Sequence, residues 1–357
     1  MNARWVKSIG CAALVAVGCF SCGCISESGS PRMRLGSLPF PGIFSLYEEA
    51  DPDDMGVHCA GSPLARIGQK GERERGTLYT RRAGFIDVSH LRESIDWVQC
   101  LHTRIHASLV ALDGDGSAPP GFDFHYCQAT FEVAVCRPSW WDGLSVDERT
   151  RLIDEASIRL AERMSVVVTT WHEVATWCGH QTVPGVSEQR SAFTWDDTTA
   201  HVLGAVIGAK ALRRGEPEWD FAVTHAINDE LWDLGVLPKR DQRHAADLVG
   251  QRWWKNGDAV RRDLEVGLRD GRKSGWLVEE LGTDAEVIEL PSLSDVDGRD
   301  MSSILEMRLL PGGSMRRKLW RGGDAPEVLV GEAGVLEAVE RVREQMCKKW
   351  GEGFDRP

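Results

Sequence analysis

The sequence predicts a mainly α chain with a small β component, an α+β fold built as one helix-rich core, and three observations carry that expectation. Apolar residues step by three and four through 87–112 (Val88, Leu91, Ile95, Val98, Leu101, Ile105, Leu109), as on a helix with one buried stripe. Ser145-Val-Asp-Glu148 is a capping box opening a second helical stretch. Period-two alternation is clear only over 122–135, with Phe122, Phe124, Tyr126 and then Phe131, Val133, Val135, so strands are few.

In chain order, residues 1–23 read as a lipoprotein signal peptide: Arg4 and Lys7, then an uncharged apolar stretch from Ser8 to Gly23. That stretch falls short of the roughly 20 apolar residues that a bilayer requires. Lipobox-like spacing places the lipidated residue at Cys24, with Cys19 as the alternative. The expectation is a bacterial cell-envelope lipoprotein, palmitate-bearing and facing the periplasm. The residue after Cys24 is not Asp, which favours the outer membrane. Residues 24–75 mix Gly, Pro, Ser and charge without periodicity and read as a tether and irregular lead-in.

A main domain is expected over 76–257. After the 87–112 helix, Asp113-Gly-Asp-Gly116 and Pro119-Pro120 act as a stop, and 122–135 forms a hairpin or one long strand. The capping box starts a helix to about Arg163, continued with a kink from Ser165 to Cys178 and closed at Gly179. Asp196 or Asp197 is expected to cap a helix through Leu212, whose Gly204, Ala205, Gly208 and Ala209 allow a neighbouring backbone to come close. Pro217 opens another helix ending at Gly235, and a further one runs from Asp241 to Trp254. Residues 258–357 read as a smaller mixed region packed on the main domain: strands at 276–281, 287–290 and 304–310, then a helix over 331–349.

Composition narrows the function classes. With 42 Lys and Arg against 54 Asp and Glu the formal charge is −12, which excludes a phosphate-backbone partner, so no nucleic acid is expected. Cys59, Cys100, Cys127, Cys136, Cys178 and Cys347 follow the signal, none in a C-x-x-C pair, and Cys127 with Cys136 is the first disulfide to test. Fourteen Trp, doubled at 140–141 and 253–254, could form a surface that stacks on a glycan or meets an envelope protein, though Trp is more often core. His102 and His106 have metal spacing but no third ligand, and Met315-Arg-Arg-Lys318 reads as a solvated turn.

Three clusters could carry chemistry. Trp171-His-Glu-Val-Ala-Thr-Trp-Cys-Gly-His180 is not the H-E-x-x-H of a zinc protease, because residue 176 is Thr. His172 and His180 are about 12 Å apart along a helix and cannot share an ion unless the helix ends between them. Glu173, Trp177 and His180 would share one face. Glu173, among valines, needs a partner or a proton. A raised pKa there would favour catalysis, and an ordinary one beside an Arg would favour architecture. Asp87 and His90, three apart at a helix start, can share a metal or a proton, although Asp87 also reads as an N-cap. Asp197 and His201 are four apart, with Glu188 in the preceding loop.

Gly84-Phe-Ile-Asp-Val-Ser-His-Leu-Arg92, His172-Glu-Val-Ala-Thr-Trp177 and Ser187-Glu188 with Ser191-Ala-Phe193 resemble, over roughly residues 60 to 255, the bacterial lipoproteins grouped as domain of unknown function 4056. The resemblance implies a secreted or lipid-anchored protein without an established activity. It carries over Asp87, His90, Glu173, Glu188 and Asp197. His201 stands where the family pattern often has Asn, and Thr199 where it has Tyr, so it does not imply His201 as a required group.

Two functions remain open. In one, a metal-assisted hydrolase holds one divalent ion with His90, Glu188 and Asp197, uses Glu173 and Asp87 as catalytic groups, and presents Trp177 and His180 for binding. In the other, the same polar residues are a buried network in a non-catalytic lipoprotein whose tryptophans bind a glycan or protein partner.

Overall fold

The computed structural model describes residues 30–31, 34, 49–60, 72, 76–113, 121–181, 185, 187–255, 258–321 and 323–357. The expected signal peptide, with Cys19 and Cys24, lies outside them. Helices take up 49% of the described residues and strands 15%, so the fold is α+β with helices supplying the framework. No helix among the described residues is long and apolar enough to cross a membrane.

Strands β1 (Thr77–Thr80) and β2 (Gly84–Asp87) form a fully buried antiparallel hairpin, with Thr77 opposite Asp87. It leads directly into helix α1 (Val88–Val110). The expected stripe of Leu91, Ile95, Val98, Leu101, Ile105 and Leu109 is buried, but so are Arg92, Glu93, Ser94 and Asp96. The first half of α1 is enclosed on its polar side too, because Arg34, His58 and Glu72 close over it. His58 Nε2 meets Asp96 Oδ1 at 3.0 Å, Arg34 Nε donates to Asp96 Oδ2 at 2.7 Å, and Glu72 Oε1 lies 3.0 Å from both Arg34 and Arg92. The described residues of the lead-in are thus clamped to α1 by buried charge, which a composition rich in Gly, Pro and Ser did not foretell.

β3 (Gly121–Tyr126) and β4 (Ala129–Val135) form the expected hairpin, turning through Cys127 and Gln128, both at positive φ. Helix α2 (Val146–Trp177) starts at the capping box, where Ser145 Oγ accepts from Glu148 N and Glu148 Oε2 accepts from Ser145 N. It runs 32 residues as one helix, without the break expected near Ser165. The hydroxyls there are absorbed: Ser165 Oγ donates to Ser94 O at 2.9 Å, and Thr169 Oγ1 donates to Ser165 O at 2.9 Å. Burial of Val166, Val167 and Val168 outweighs their weak helix propensity. Gly179, at φ +84°, closes the helix as expected, its N–H bonding Thr176 O while that of His180 bonds Ala175 O.

Helix α3 (Trp195–Arg214) corrects one expectation: neither Asp caps it. Thr194 occupies the cap position, and Asp196 and Asp197 fall inside the first turn, where the helix dipole favours negative charge. Helix α4 (Trp219–Asp233) follows, then α5 (Lys239–Val249), which stops short of the expected Trp254 at Gly250 and positive-φ Gln251. Trp253 and Trp254 turn instead into a second, smaller core with Tyr79, Phe85, Trp195 and Trp276.

β5 (Trp254–Lys255) pairs with β6 (Asp258–Ala259), and β7 (Arg272–Ser274) with β8 (Val287–Glu289). The strand expected at 276–281 is not one: Val278 N donates to Tyr79 Oη, and Glu279–Leu281 coils into a 3-10 turn. β9 (Leu305–Pro311), helix α6 (Gly313–Leu319), β10 (Leu329–Val330) and helix α7 (Gly331–Trp350) complete the chain. Met315–Lys318 lies in α6 with Met315 buried, not in a solvated turn. The main sheet is antiparallel in the order β10-β9-β4-β3, so residues 121–135 and 305–330 share it. α1, α2 and α3 pack on one another, and α7 lies along α2.

Cys127 and Cys136 are free thiols, as are the other four cysteines after the expected signal. They bracket the seven residues of β4, and at about 3.3 Å per residue its two ends are far beyond disulfide reach. Trp97, Trp141, Trp171, Trp177, Trp195, Trp253 and Trp320 are core, and among the described residues Trp232, 78% exposed, is the strongly exposed tryptophan. The expected Trp-rich binding face is therefore not formed there. His106 pairs with Asp154 on the surface, consistent with a partly exposed face.

Candidate metal centre

The starts of α1 and α3 and the last turns of α2 converge beside the β3–β4 turn. Asp87 is both cap and site residue: its Oδ1 accepts from Ser89 N, Ser89 Oγ and His90 N at 2.7–3.0 Å. That bond network holds the carboxylate at the mouth of α1, one turn from His90. Ligand atoms of Asp87, His90 and Asp197 lie within 4.8 Å of one another, and so do those of His90, Glu173 and His201. His90 Nε2 is 3.6 Å from Asp197 Oδ1, and His90 Nδ1 is 3.8 Å from Glu93 Oε2. Both separations are too long for hydrogen bonds. The His90 Nε2–Asp197 separation is close to the roughly 3.4 Å between neighbouring ligands on a tetrahedral ion with bonds near 2.1 Å.

Glu173 and His201 form a tight pair. His201 Nε2 meets Glu173 Oε1 at 3.0 Å, and Phe193 N donates to Glu173 Oε2 at 2.6 Å. Phe193 holds φ +60°, and this left-handed backbone places its N–H within reach of the carboxylate. His201 Nδ1 lies 3.4 Å from Ser94 Oγ, so both ring nitrogens have neighbours.

Carboxylates dominate the electrostatics around His90. Burial alone would keep His90 neutral, but the carboxylates of Asp197, Asp87, Glu173 and Glu93 prevail and raise it to about 10. Burial pushes Asp197 well above the usual carboxylate range; His90 pulls it down, and Asp196, Glu173 and Asp87 push it further up. Asp196 is raised by burial and by Asp87, and its buried Oδ1 has no hydrogen-bond partner. Burial also works to raise Glu173, but the bond and charge of His201, then His90 and His172, hold it well below the usual range. The raised pKa that would have favoured catalysis is thus not found, and the partner is an imidazole rather than the Arg expected of pure architecture. Surplus negative charge thus surrounds His90, a position that draws a proton or a cation.

A second layer lies behind His90. Tyr126 Oη donates to Glu93 Oε1 and sits 3.1 Å from His172 Nδ1, with Cys127 Sγ 3.3 Å from the same nitrogen. Burial lowers His172 to about 4 despite Glu93 and Glu173. Burial raises the Cys127 thiol well above its ordinary value, as does Glu93. This thiol is therefore protonated and inert.

Of the residues expected from sequence, Asp87, His90, Glu173 and Asp197 come together. Glu188 lies in the loop before α3, near enough to act on Cys127 electrostatically, but contributes no atom to either ligand group. Trp177 faces away: its Nε1 donates to Gln345 Oε1 on α7 at 2.9 Å. His180 is not on Glu173's helix face, because α2 ends at Trp177; that ending brings its ring to 6.2 Å from His172. His201 belongs to the cluster. Sequence reasoning missed Glu93, His172 and Tyr126 as site residues. The three-residue spacing of Asp87, His90 and Glu93 on one side of α1 was a usable signal for Glu93, whereas nothing local marks Tyr126.

The family model described as protein of unknown function (DUF4056) matches residues 22–269, and the chain belongs to that family. No curated protein and no solved structure matches it.

Proposed function

We propose that this member of the DUF4056 family is a metal-assisted hydrolase of the bacterial cell envelope, anchored by lipid at Cys24 or Cys19. The observation that carries the enzymatic part is the convergence of Asp87, His90 and Asp197, each offering a ligand atom within 4.8 Å of the others, beside the Glu173–His201 pair. Two carboxylates and an imidazole suit a divalent cation. Asp196, buried with a bare Oδ1 in the same turn, adds negative charge where such an ion would sit.

A divalent ion so held supplies an acidified water and a Lewis acid for a carbonyl or phosphoryl oxygen. The chain's own groups do the rest. Glu173, ionised and held at both oxygens by His201 and the Phe193 amide, is oriented to accept a proton. His201 passes that constraint to Ser94 on α1, which also carries His90. Asp87 ties the ion side of the site to the first turn of α1 through its cap bonds.

The test is a panel of activated esters, amides and phosphodiesters assayed with the chain loaded in turn with Zn²⁺, Mn²⁺ and Ca²⁺. The reading expects chelator-sensitive turnover that falls at least a hundredfold in Glu173→Gln, in line with loss of a general base. Turnover unaffected by chelator and by that substitution would refute it. Anchoring is tested by palmitate labelling in cells, which the reading expects to vanish in the Cys19→Ser, Cys24→Ser double variant.

A further inference from the structure

We propose that the cavity where α2 and α3 meet the segment after β8 is a second ligand site, which takes the carboxylate of a small organic acid and uses Glu162 as its hydrogen donor. The site is independent of the cation reading. Glu162 and Glu173 are eleven residues apart on α2, about 16 Å of helix rise.

Two facing helix stripes build it. Glu155, Arg159 and Glu162 recur at i, i+4 and i+7 on α2, Val206, Lys210 and Arg213 at the same spacing on α3, and both sets line one cavity of about 570 Å³. That volume is in the range of small-molecule pockets. Leu290 and Pro291, which follow β8, supply an apolar wall together with Val206.

Glu162 is the residue that asks for an occupant. It is only 4% exposed, it lines the cavity, and among the described residues its carboxyl makes no hydrogen bond or ion pair. A buried polar group without a partner is costly and rare, and it points to a ligand. Burial pushes its pKa up to about 8; Arg213, Arg159 and Lys210 pull it down without prevailing, and Glu155 adds to the rise. At neutral pH the carboxyl therefore carries a hydrogen that no protein group accepts.

The spare capacity around it suits an anion. Glu155 is already taken twice, by Arg159 Nε at 2.6 Å and Arg213 Nη2 at 3.0 Å, while Glu289 faces Arg272 at 3.6 Å and Lys210 pairs with Glu230. Donors are left over. Arg159 Nη2 and Arg213 Nη1 make no hydrogen bond among the described residues, and Lys210 offers three hydrogens to one carboxylate. With Glu162 protonated, four cations (Arg159, Lys210, Arg213 and Arg272) stand against three carboxylates (Glu155, Glu230 and Glu289). A carboxylate ligand accepts from Glu162 and the spare guanidinium nitrogens in charge-assisted bonds, and its hydrocarbon part covers the apolar wall. An organic ammonium would add a fifth cation and find no free acceptor but Glu162.

The experiment titrates butanoate, succinate and, as a cationic control, butylammonium into the full chain by isothermal calorimetry at pH 6.5 and pH 9. The expected result is one-to-one binding of the acids at pH 6.5 and none of butylammonium. Affinity should be about tenfold weaker at pH 9, where only about a tenth of Glu162 keeps its hydrogen. Glu162→Gln, whose amide still donates, should bind alike at both pH values, and Glu162→Leu should lose at least tenfold at pH 6.5, with circular dichroism confirming each fold. Infrared difference spectra of the wild type give a readout independent of any variant: a protonated carboxyl band should shift when butanoate binds. No binding of either acid at pH 6.5, an affinity that does not fall at pH 9, a pH dependence that survives Glu162→Gln, unchanged affinity in Glu162→Leu, or a preference for butylammonium would overturn the proposal.

Discussion

Gly204→Ala sets two known effects against each other at the junction that holds the site together. In an exposed helix interior the change would stabilise by about 1 kcal/mol, because Gly is the poorer helix former. Here α3 crosses α1 so closely that a Cβ at residue 204 would stand 2.3 Å from Leu91 O and 2.8 Å from Ser94 Cβ. The first of these is backbone and cannot swing aside, so α1 and α3 must part. Overpacking of this kind costs about 1–3 kcal/mol, and a backbone clash belongs at the upper end. The net expectation is a loss of about 2 kcal/mol, measured by urea unfolding at two protein concentrations. The displaced helices carry His90 and Glu93 on one side and Asp197 and His201 on the other, so cation affinity should fall as well. Gly208→Ala is the internal control: its Cβ would meet the Val98 side chain at 2.9 Å, which can shift, and the loss should be smaller. If Gly204→Ala were to stabilise the protein while leaving cation binding intact, the close approach of α1 and α3 would not be what positions the site.

Glu162 offers a test of pH dependence away from the site. It is buried, and desolvation raises its pKa from 4.5 to about 8 despite Arg213, while Glu155 adds to the rise. A carboxyl with a raised folded pKa contributes stability below the unfolded pKa and loses it as pH climbs through the folded one. Stability should therefore decline between about pH 4.5 and 8, and Glu162→Gln should remove that decline, for a gain of up to about 5 kcal/mol at pH 9 in chemical denaturation. Glu72 behaves in the opposite sense: burial would raise it, but Arg34, His58 and Arg92 hold it well below the ordinary range. Its contribution is present above the unfolded pKa and lost as pH falls. Glu72→Gln should cost about 3–5 kcal/mol at neutral pH by leaving two buried guanidinium groups short of their carboxylate, and thermal unfolding at pH 7 reads it. Ser145→Ala, which opens the capping box of α2, should cost about 1 kcal/mol in the same assay.

Much of the framework was legible because its signals are local. The stripe of α1, the Ser145–Glu148 box, the Gly179 terminus and the β3–β4 alternation each depend on a few neighbouring residues, and each is found as expected. The failures share a cause: the deciding contact is distant in sequence. Residues 276–281 have the composition of a strand, but Val278 bonds to Tyr79 and pulls the segment away from a partner strand. Asp196 and Asp197 look like caps, but Thr194 holds the cap position and Asp197 lies beside His90 of α1. Trp177 has the spacing to face the site and instead meets Gln345.

At the site, Asp87, His90, Glu173 and Asp197 stood out because each sits at a helix start or among apolar neighbours where a polar group needs a reason. His201 has the i, i+4 spacing from Asp197 as well, and its bond to Glu173 brings it into the cluster. Tyr126 was invisible, since its alternation in β3 explains it as a strand residue. Its partners, Glu93 and His172, come from two other elements.

The central claim is that the cluster around His90 holds a divalent cation, and metal content measures it most directly. The chain would be purified without a metal-binding tag and analysed by mass spectrometry beside His90→Ala, Asp197→Asn and Glu173→Gln, with circular dichroism confirming each fold. The account predicts about one equivalent in the wild type and in Glu173→Gln, and loss of the ion in His90→Ala and Asp197→Asn with the fold retained. A metal-free wild type, with His90→Ala and Asp197→Asn unfolding, would contradict it and make the cluster a structural network.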